Sequence, residues 1–412
     1  MSILILNKIE HFKSPYDIWL KELEEDLLML TTPERAKECD KYKVIETFEN
    51  YEVNGGVEIR GLELYNAHKF HTILSTSEFD LIRAAQLREC LGIEGQNLKS
   101  AVAFRNKGIM KDYVQKAGLK VPSYSSISTP LDLYSFVGKH GYPVVVKPID
   151  GIASKNTTIL HNQDELMKFV ENGLDPNMEV ETFVKGDMYH IDGLFINGTL
   201  VHCNPSKYIN GCLAFQKGMF NGSYMLDDEN PLTPRLIRFT LDVLDAMPIP
   251  DSFSFHAEVF HTPDDELVFC EIASRTGGGL IRESIQHSFG FDINKWVALA
   301  QTKLARLDDF YKEKKRMNAS GFLLIPSQKG IIKNFPNEKY ADWVVKSFIK
   351  AKINQEYSIS HSSVDIVGSF LVEGNSERQI VERIYELYDW FEQSTVWEKG
   401  DELNQNKECA VK

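Results

Sequence analysis

Over residues 1–98, short apolar runs alternate with helical patterns. Residues 2–6 (SILIL) read as a strand, 16–30 as a helix, 44–48 as a second strand, and 79–91 as a helix closed by Gly92. That alternation predicts an open α/β sheet. Next comes a well-punctuated helix over 106–118, with Asn106 placed to cap it, Gly118 to end it, and Ile109, Met110, Tyr113, Val114 and Ala117 as its apolar stripe. Strands are expected at 142–149, 178–184 and 188–195, and Asn197-Gly198 signals a two-residue hairpin. Helices are expected from Thr233-Pro234 to about 247, over 292–304, and over 376–391. From 306 the composition turns polar and charged before a further strand at 321–326, and the last dozen residues are polar enough to fray.

The stretch 253–279, FSFHAEVFHTPDDELVFCEIASRTGGG, departs from this plain patterning. Two Phe- and Val-rich segments flank the turn-forming 261–265. Glu258 and Glu271 lie inside the apolar segments rather than in the turn, and Arg275 follows. Side chains alternate across a strand, so His256 shares a face with Glu258, and Glu271 shares one with Ala273 and Arg275 if the strand runs that far. Two carboxylates and a guanidinium facing one spot suit a divalent cation against phosphate. The alternative is a surface hairpin with solvated acids.

Two lysines carry similar tension. Lys107 occupies a first helical turn, where the macrodipole disfavours a cation unless an anion lies nearby. Lys147 interrupts the apolar run YPVVVKPI; it either snorkels from an edge strand or points into a cleft. The small-residue loop 150–157 that follows can fold its N–H groups over phosphates. His190 and His202 read as packed residues, His256 as structural, and Glu179 as an acid behind Glu181.

Composition narrows the function classes. The chain has 412 residues, 43% apolar and 25% charged, and a net charge of −13. The charge argues against nucleic-acid or anionic-membrane partners. Six scattered cysteines without CxxC spacing read as thiols of a cytoplasmic protein. No apolar stretch approaches the roughly 20 residues of a membrane helix, and the first residues have no signal-peptide pattern. GxGxxG and GxxxxGK[ST] are both absent.

The order Lys107, Lys147, loop 150–157, EVETFV, Glu258, Glu271, Arg275 resembles the ATP-grasp superfamily of carboxylate ligases, in particular the L-amino-acid ligase branch. The resemblance implies a fold mixing α/β and α+β parts. These are an N-terminal α/β domain at 1–98, an ATP-grasp nucleotide- and metal-binding core at 99–305, and a C-terminal α+β region at 306–412. It implies ATP and Mg2+ as cofactors (one or two ions, with Mn2+ able to substitute). Lys107, Lys147 and Ser154 would meet the phosphates. Glu181, Thr182 and Val184 would meet the adenine, and Asp187 the ribose. Glu258 and Glu271 would hold metal, and Arg275, with Lys147, would serve catalysis. Two departures stand out: Ala273 replaces a common third metal ligand, Asn, and Ala153 and Asn156 replace loop glycines.

The implied activity is ADP-forming activation of an amino-acid or related carboxylate as an acyl phosphate, then transfer to an amine. A carrier-protein phosphopantetheine thiol is the alternative acceptor. A non-catalytic nucleotide-binding protein is the alternative of another class, and a homodimer is compatible with either. Carboxylating and formylating relatives remain a further class, although the chain lacks a carboxylase's carrier domain.

Overall fold

Four short runs, two of them apolar throughout their middle and two half apolar, build the first sheet. In the computed structural model, which describes residues 1–39 and 41–398, β1 (Ser2–Leu6), β2 (Asp26–Thr31), β3 (Val44–Thr47) and β4 (Thr72–Ser75) pair in parallel in the order β3-β2-β1-β4. Residues 16–30 do not form the expected single helix. One turn, Tyr16–Trp19, gives way to a 3-10 turn, Lys21–Leu23; Glu24 then takes a left-handed φ of 51°, and the rest is β2. Leu27 to Leu30 are apolar at every position, which suits a parallel strand covered on both faces rather than a one-sided helix. The second expected helix forms as Leu81–Leu91, with Gly92 left-handed at its end. The last dozen residues lie outside the described residues.

The second sheet is antiparallel. It contains β5 (Tyr124–Ile127), β6 (Val144–Pro148), β7 (Thr158–Leu160) and β8 (Met178–Thr182), in the order β5-β8-β6-β7. Val144, Val146, Met178 and Val180 pack under the helices Pro130–His140 and Gln163–Glu171. By alternation Val145, Lys147, Glu179 and Glu181 face the other way. β6 is an interior strand, so the edge-strand reading of Lys147 fails: its side chain is buried, and the sheet continues on both sides.

The third sheet has eight strands, in the order β13-β12-β9-β10-β11-β14-β18-β16. They are β9 (Asp187–Ile196), β10 (Thr199–Ile209), β11 (Asn221–Met225), β12 (Phe253–His261), β13 (Leu267–Ala273), β14 (Ala319–Pro326), β16 (Val344–Ile349) and β18 (Ile366–Gly374). A separate small sheet joins β15 (Gly330–Asn334), β17 (Glu356–Tyr357) and β19 (Val396–Glu398). Asn197-Gly198 turns β9 into β10, as the hairpin signal requires. One face of the large sheet, through Ile191, Phe253 and Phe255, meets the helices Lys107–Lys116 and Leu232–Ala246. The opposite face, through Leu194 and Ile196, meets Ile281–Phe289 and Ile293–Gln301. The helix expected from Thr233 starts one residue earlier, with Pro231 at its N-cap; the Thr233 hydroxyl instead donates to the Asp227 carbonyl at 2.7 Å.

β14, β18 and β16 complete this sheet through the β11–β14 pairing, so strands on either side of residue 306 belong to one continuous sheet. The helix Glu377–Ser394, capped by Ser376, buries Ile380, Ile384, Leu387 and Phe391 on β14 and β18. No helix of the described residues is long and apolar enough to cross a membrane.

Candidate active site

The second and third sheets enclose a cleft of about 410 Å3, an ordinary size for a small-ligand site. Lys107, Lys147, Ser154, Glu181, Val184, Asp187, Glu258 and Glu271 all line it. Residues far apart in sequence and assigned to one ligand therefore share one cavity. Thr182 and Arg275 are not among the lining residues.

The floor is the β12–β13 hairpin. Glu258 and Glu271 are direct cross-strand partners, and the register shifts immediately after Glu258. Like charges directly opposite each other destabilise a sheet unless a cation intervenes. The Lys107 Nζ lies 3.2 Å from Glu271 Oε2 and donates to the Gly151 carbonyl at 2.8 Å. Burial pushes the Glu271 carboxyl up, but the charges of Lys107 and Lys147 outweigh it and hold the group at about 2. Glu258 accepts from the Tyr208 hydroxyl at 3.0 Å. Two facing carboxylates with hard oxygen donors fit a divalent cation.

Ala273, which stands where a third ligand is common, pairs with His256. His256 bonds through Nδ1 to Asp192 at 2.9 Å, and its Nε2 lies 3.6 Å from Glu258. Burial disfavours the imidazolium, yet Asp192 and Glu258 raise its pKa to about 9. Asp192 also bonds His190 at 2.6 Å, and His190 reaches the Ser223 hydroxyl at 2.6 Å. His190, Asp192 and His256 bring three potential metal donors within 4.8 Å of one another. Each Asp192 oxygen already pairs with one ring, so the trio reads as a hydrogen-bonded relay. Gly277 packs against it: a Cβ there would lie 2.7 Å from His256 Nδ1 and 3.0 Å from Asp192. His256 and His190 are thus positioned by packing and hydrogen bonds, as the sequence reading has it, but Asp192 carries no sequence signal of its own.

Arg275 lies beyond the end of β13 and so does not share the strand face expected of it. Its Nε donates to buried Glu78, and its Nη1 to the Thr276 carbonyl at 2.9 Å. Glu78 accepts a hydrogen bond from a second guanidinium, that of Arg105, at 2.6 Å, and Arg105 Nη2 donates to the Asp150 carbonyl at 2.7 Å. Burial opposes the Glu78 charge, but Arg275 and Arg105 hold its pKa below the usual range. Sequence reading missed Glu78; an acid just ahead of a helix looks like an ordinary dipole partner.

The far end of the cleft is the segment after β8. Thr182 N–H donates to the Ser123 carbonyl at 2.9 Å, and its hydroxyl accepts from Ser123 N at 3.1 Å, which fixes the strand end. Gly186 approaches the next hairpin so closely that a Cβ would sit 2.4 Å from the His261 carbonyl oxygen. Asp187 follows, paired with Lys207 at 2.7 Å. In the cleft wall, Lys147 Nζ lies 2.7 Å from Glu181 Oε1, and behind it Lys111, unremarked in the sequence, lies 2.5 Å from Glu179.

The loop 150–157 holds Ala153, Ser154 and Asn156 at positive φ of 53°, 54° and 57°, so non-glycine residues take the conformations the replaced glycines would allow. Gln216, in the 208–224 segment, donates to the Thr157 carbonyl at 2.8 Å, and Ser363 N–H to that of Ala153 at 3.1 Å. The 208–224 segment is partly strand, with a 3-10 turn at Ala214–Lys217.

No protein-family model matches the chain. The L-arginine-specific L-amino acid ligase of Bacillus subtilis is 29% identical over 284 residues, spanning 66% of this chain and 67% of that ligase. The structure superposes on an L-amino acid ligase from Bacillus licheniformis with a TM-score of 0.77 at 19% identity, covering 97% of this chain and 99% of the other. It also superposes on the biotin carboxylase domain of Hydrogenobacter thermophilus 2-oxoglutarate carboxylase, solved with MgADP, with a TM-score of 0.67 at 14% identity, over 95% and 90% of the two chains.

Proposed function

We propose that this chain, which has the ATP-grasp fold and is similar in sequence to an L-amino-acid ligase, activates an amino-acid carboxylate with ATP and joins it to an amine, releasing ADP and phosphate. The observation that carries the reading is the cross-strand pair Glu258–Glu271, which shares one cleft with Lys107, Lys147 and Glu181.

A carboxylate is a poor electrophile because oxide would have to leave. Attack of its oxygen on the ATP γ-phosphorus expels ADP and gives an acyl phosphate. Attack of an amine on the acyl carbon then expels phosphate. Catalysis of this kind rests on positioning and charge neutralisation. Glu258 and Glu271 would hold one or two Mg2+ ions, which screen phosphoryl charge when bound. Lys107 and Lys147 offset the remaining phosphate charge, and Ser154 offers its loop. Glu181, Thr182 and Val184 receive the adenine edge, and Asp187 the ribose hydroxyls. Arg275, held by Glu78, steadies the acyl phosphate. The loops joined by the Gln216–Thr157 bond keep water from the anhydride.

The test is to incubate the chain with ATP, Mg2+ and each amino acid, with amine acceptors or with a phosphopantetheinyl carrier, and to measure phosphate and product mass. An amide product with stoichiometric ADP is expected. A thioester formed in the absence of any amide would overturn the acceptor assignment, and no amino-acid-stimulated ADP at all would overturn the activity. Glu258→Gln and Glu271→Gln should each lower turnover by about a hundredfold or more, the scale of losing one electrostatic partner of the reacting group. Full turnover in both variants would sink the metal assignment.

A further inference from the structure

Lys111 lies one helical turn beyond Lys107, and its side chain is 0% exposed. An ammonium is seldom so completely removed from water. Its Nζ is 2.5 Å from Glu179 Oε1 and 2.9 Å from Glu181 Oε2. Lys147 reaches the same two acids from the other side, at 2.7 Å from Glu181 Oε1 and 3.8 Å from Glu179 Oε1. Each Glu181 oxygen therefore has its own lysine. The four charges sum to zero, but only Lys147 and Glu181 reach the cleft; Lys111 and Glu179 lie behind them.

Stability alone does not account for the rear pair. Buried ion pairs are readily replaced by apolar residues of similar volume, whereas removing one partner strands the other charge. The rear pair does have a consequence for the front pair. Without Lys111, two carboxylates would compete for the single Lys147 ammonium in a low-dielectric site. That ammonium would be drawn back toward β8, and the excess negative charge would face the cleft.

We propose that Lys111 is a positioning residue for nucleotide binding: it balances the charge of Glu179 and lies against one oxygen of Glu181, so that Lys147 and the other Glu181 oxygen stay aimed into the cleft. The inference rests on reading that cleft as a nucleotide site. Lys111 itself need not touch the ligand. Its role is set by charge balance, so removing the opposing charge should compensate for its loss.

The experiment titrates MgADP into the purified chain by calorimetry and measures KM for ATP in the ligase assay. Failure of the wild-type chain to bind MgADP would overturn the nucleotide reading itself. Given wild-type binding, Lys111→Met should weaken MgADP binding and raise the KM for ATP by about tenfold or more, while leaving the KM for the amino acid near wild type. Lys111→Met combined with Glu179→Gln restores neutrality and should recover most of the affinity, a rescue that a packing defect would not show. Lys111→Arg keeps the charge and should bind within a few-fold of wild type. If Lys111→Met does not fold, the double variant and Lys111→Arg carry the same test. Unchanged MgADP affinity in Lys111→Met, or a double variant that binds no better than the single one, overturns the inference; where the single variant does not fold, a folded double variant that lacks MgADP affinity does so.

Discussion

A guanidinium proposed to meet a phosphoryl oxygen has to be held still without losing its charge. Arg275 is held by Glu78, which sits ahead of the helix Leu81–Leu91 and so couples the first sheet's neighbourhood to the cleft. Because Arg105 bonds both Glu78 and the Asp150 carbonyl, the same acid also tethers the start of the 150–157 loop. Glu78→Gln keeps the shape but removes the charge that anchors two arginines. The expected outcome is a kcat lower by about ten- to a hundredfold, since misplacement of a reacting group by an ångström costs on that scale. KM for the amino acid and kcat would be read separately, and an unchanged kcat would show that Arg275 needs no such anchor. Glu258, Glu271, Lys107 and Lys147 were legible in sequence because each violates its local pattern: an acid or a lysine inside an apolar run, or a cation at a helix start. Glu78, Lys111 and Asp192 were not. Each sits in an ordinary polar position, and its importance comes from partners 197, 68 and 64 residues away.

Elements were read well where punctuation was strong. Asn106 accepts from Ile109 N, Ser376 from Gln379 N, and Asn197-Gly198 turns its hairpin, all as local chemistry requires. The failure at residues 16–30 has a physical origin: a short helix abuts a strand buried on both faces, and a continuous apolar run has no period to separate the two. β10 shows how a strand stores a pH response. Its His202 is buried against Phe289 and Phe291. Burial, aided by the charge of Lys314, pushes its pKa down to about 3 from an ordinary 6.5. The folded state therefore favours neutral His202. Its contribution is complete above pH 6.5 and is lost as the pH falls toward 3, on the order of a few kcal/mol in full. Urea unfolding at pH 7.5 and pH 5 should show the wild type losing stability on acidification more steeply than His202→Gln. Equal pH slopes would remove His202 from the account.

For the whole molecule, the ATP-grasp fold implied by the resemblance is present, and the superposition covers nearly the full chain. Composition pointed to a change near residue 306, and the polar, charged stretch there is real. Pairing of strands distant in sequence leaves no compositional trace, which is why the sharing of one sheet across that point was not legible. That sharing affects how the chain can be divided. A fragment ending at residue 305 retains every proposed ligand of the cleft, yet it strips β14 from β11. It would leave Asn221 to Tyr224 with a row of unanswered N–H and C=O groups, together with Phe220, which now packs against Tyr385 and Tyr388 of the last long helix. Such an unprotected edge is a template for pairing with another chain. The truncated protein should therefore appear in the insoluble fraction or as large oligomers in light scattering, whereas the intact chain should not. A soluble, well-dispersed fragment would show that the border strand is guarded by something other than its C-terminal neighbour.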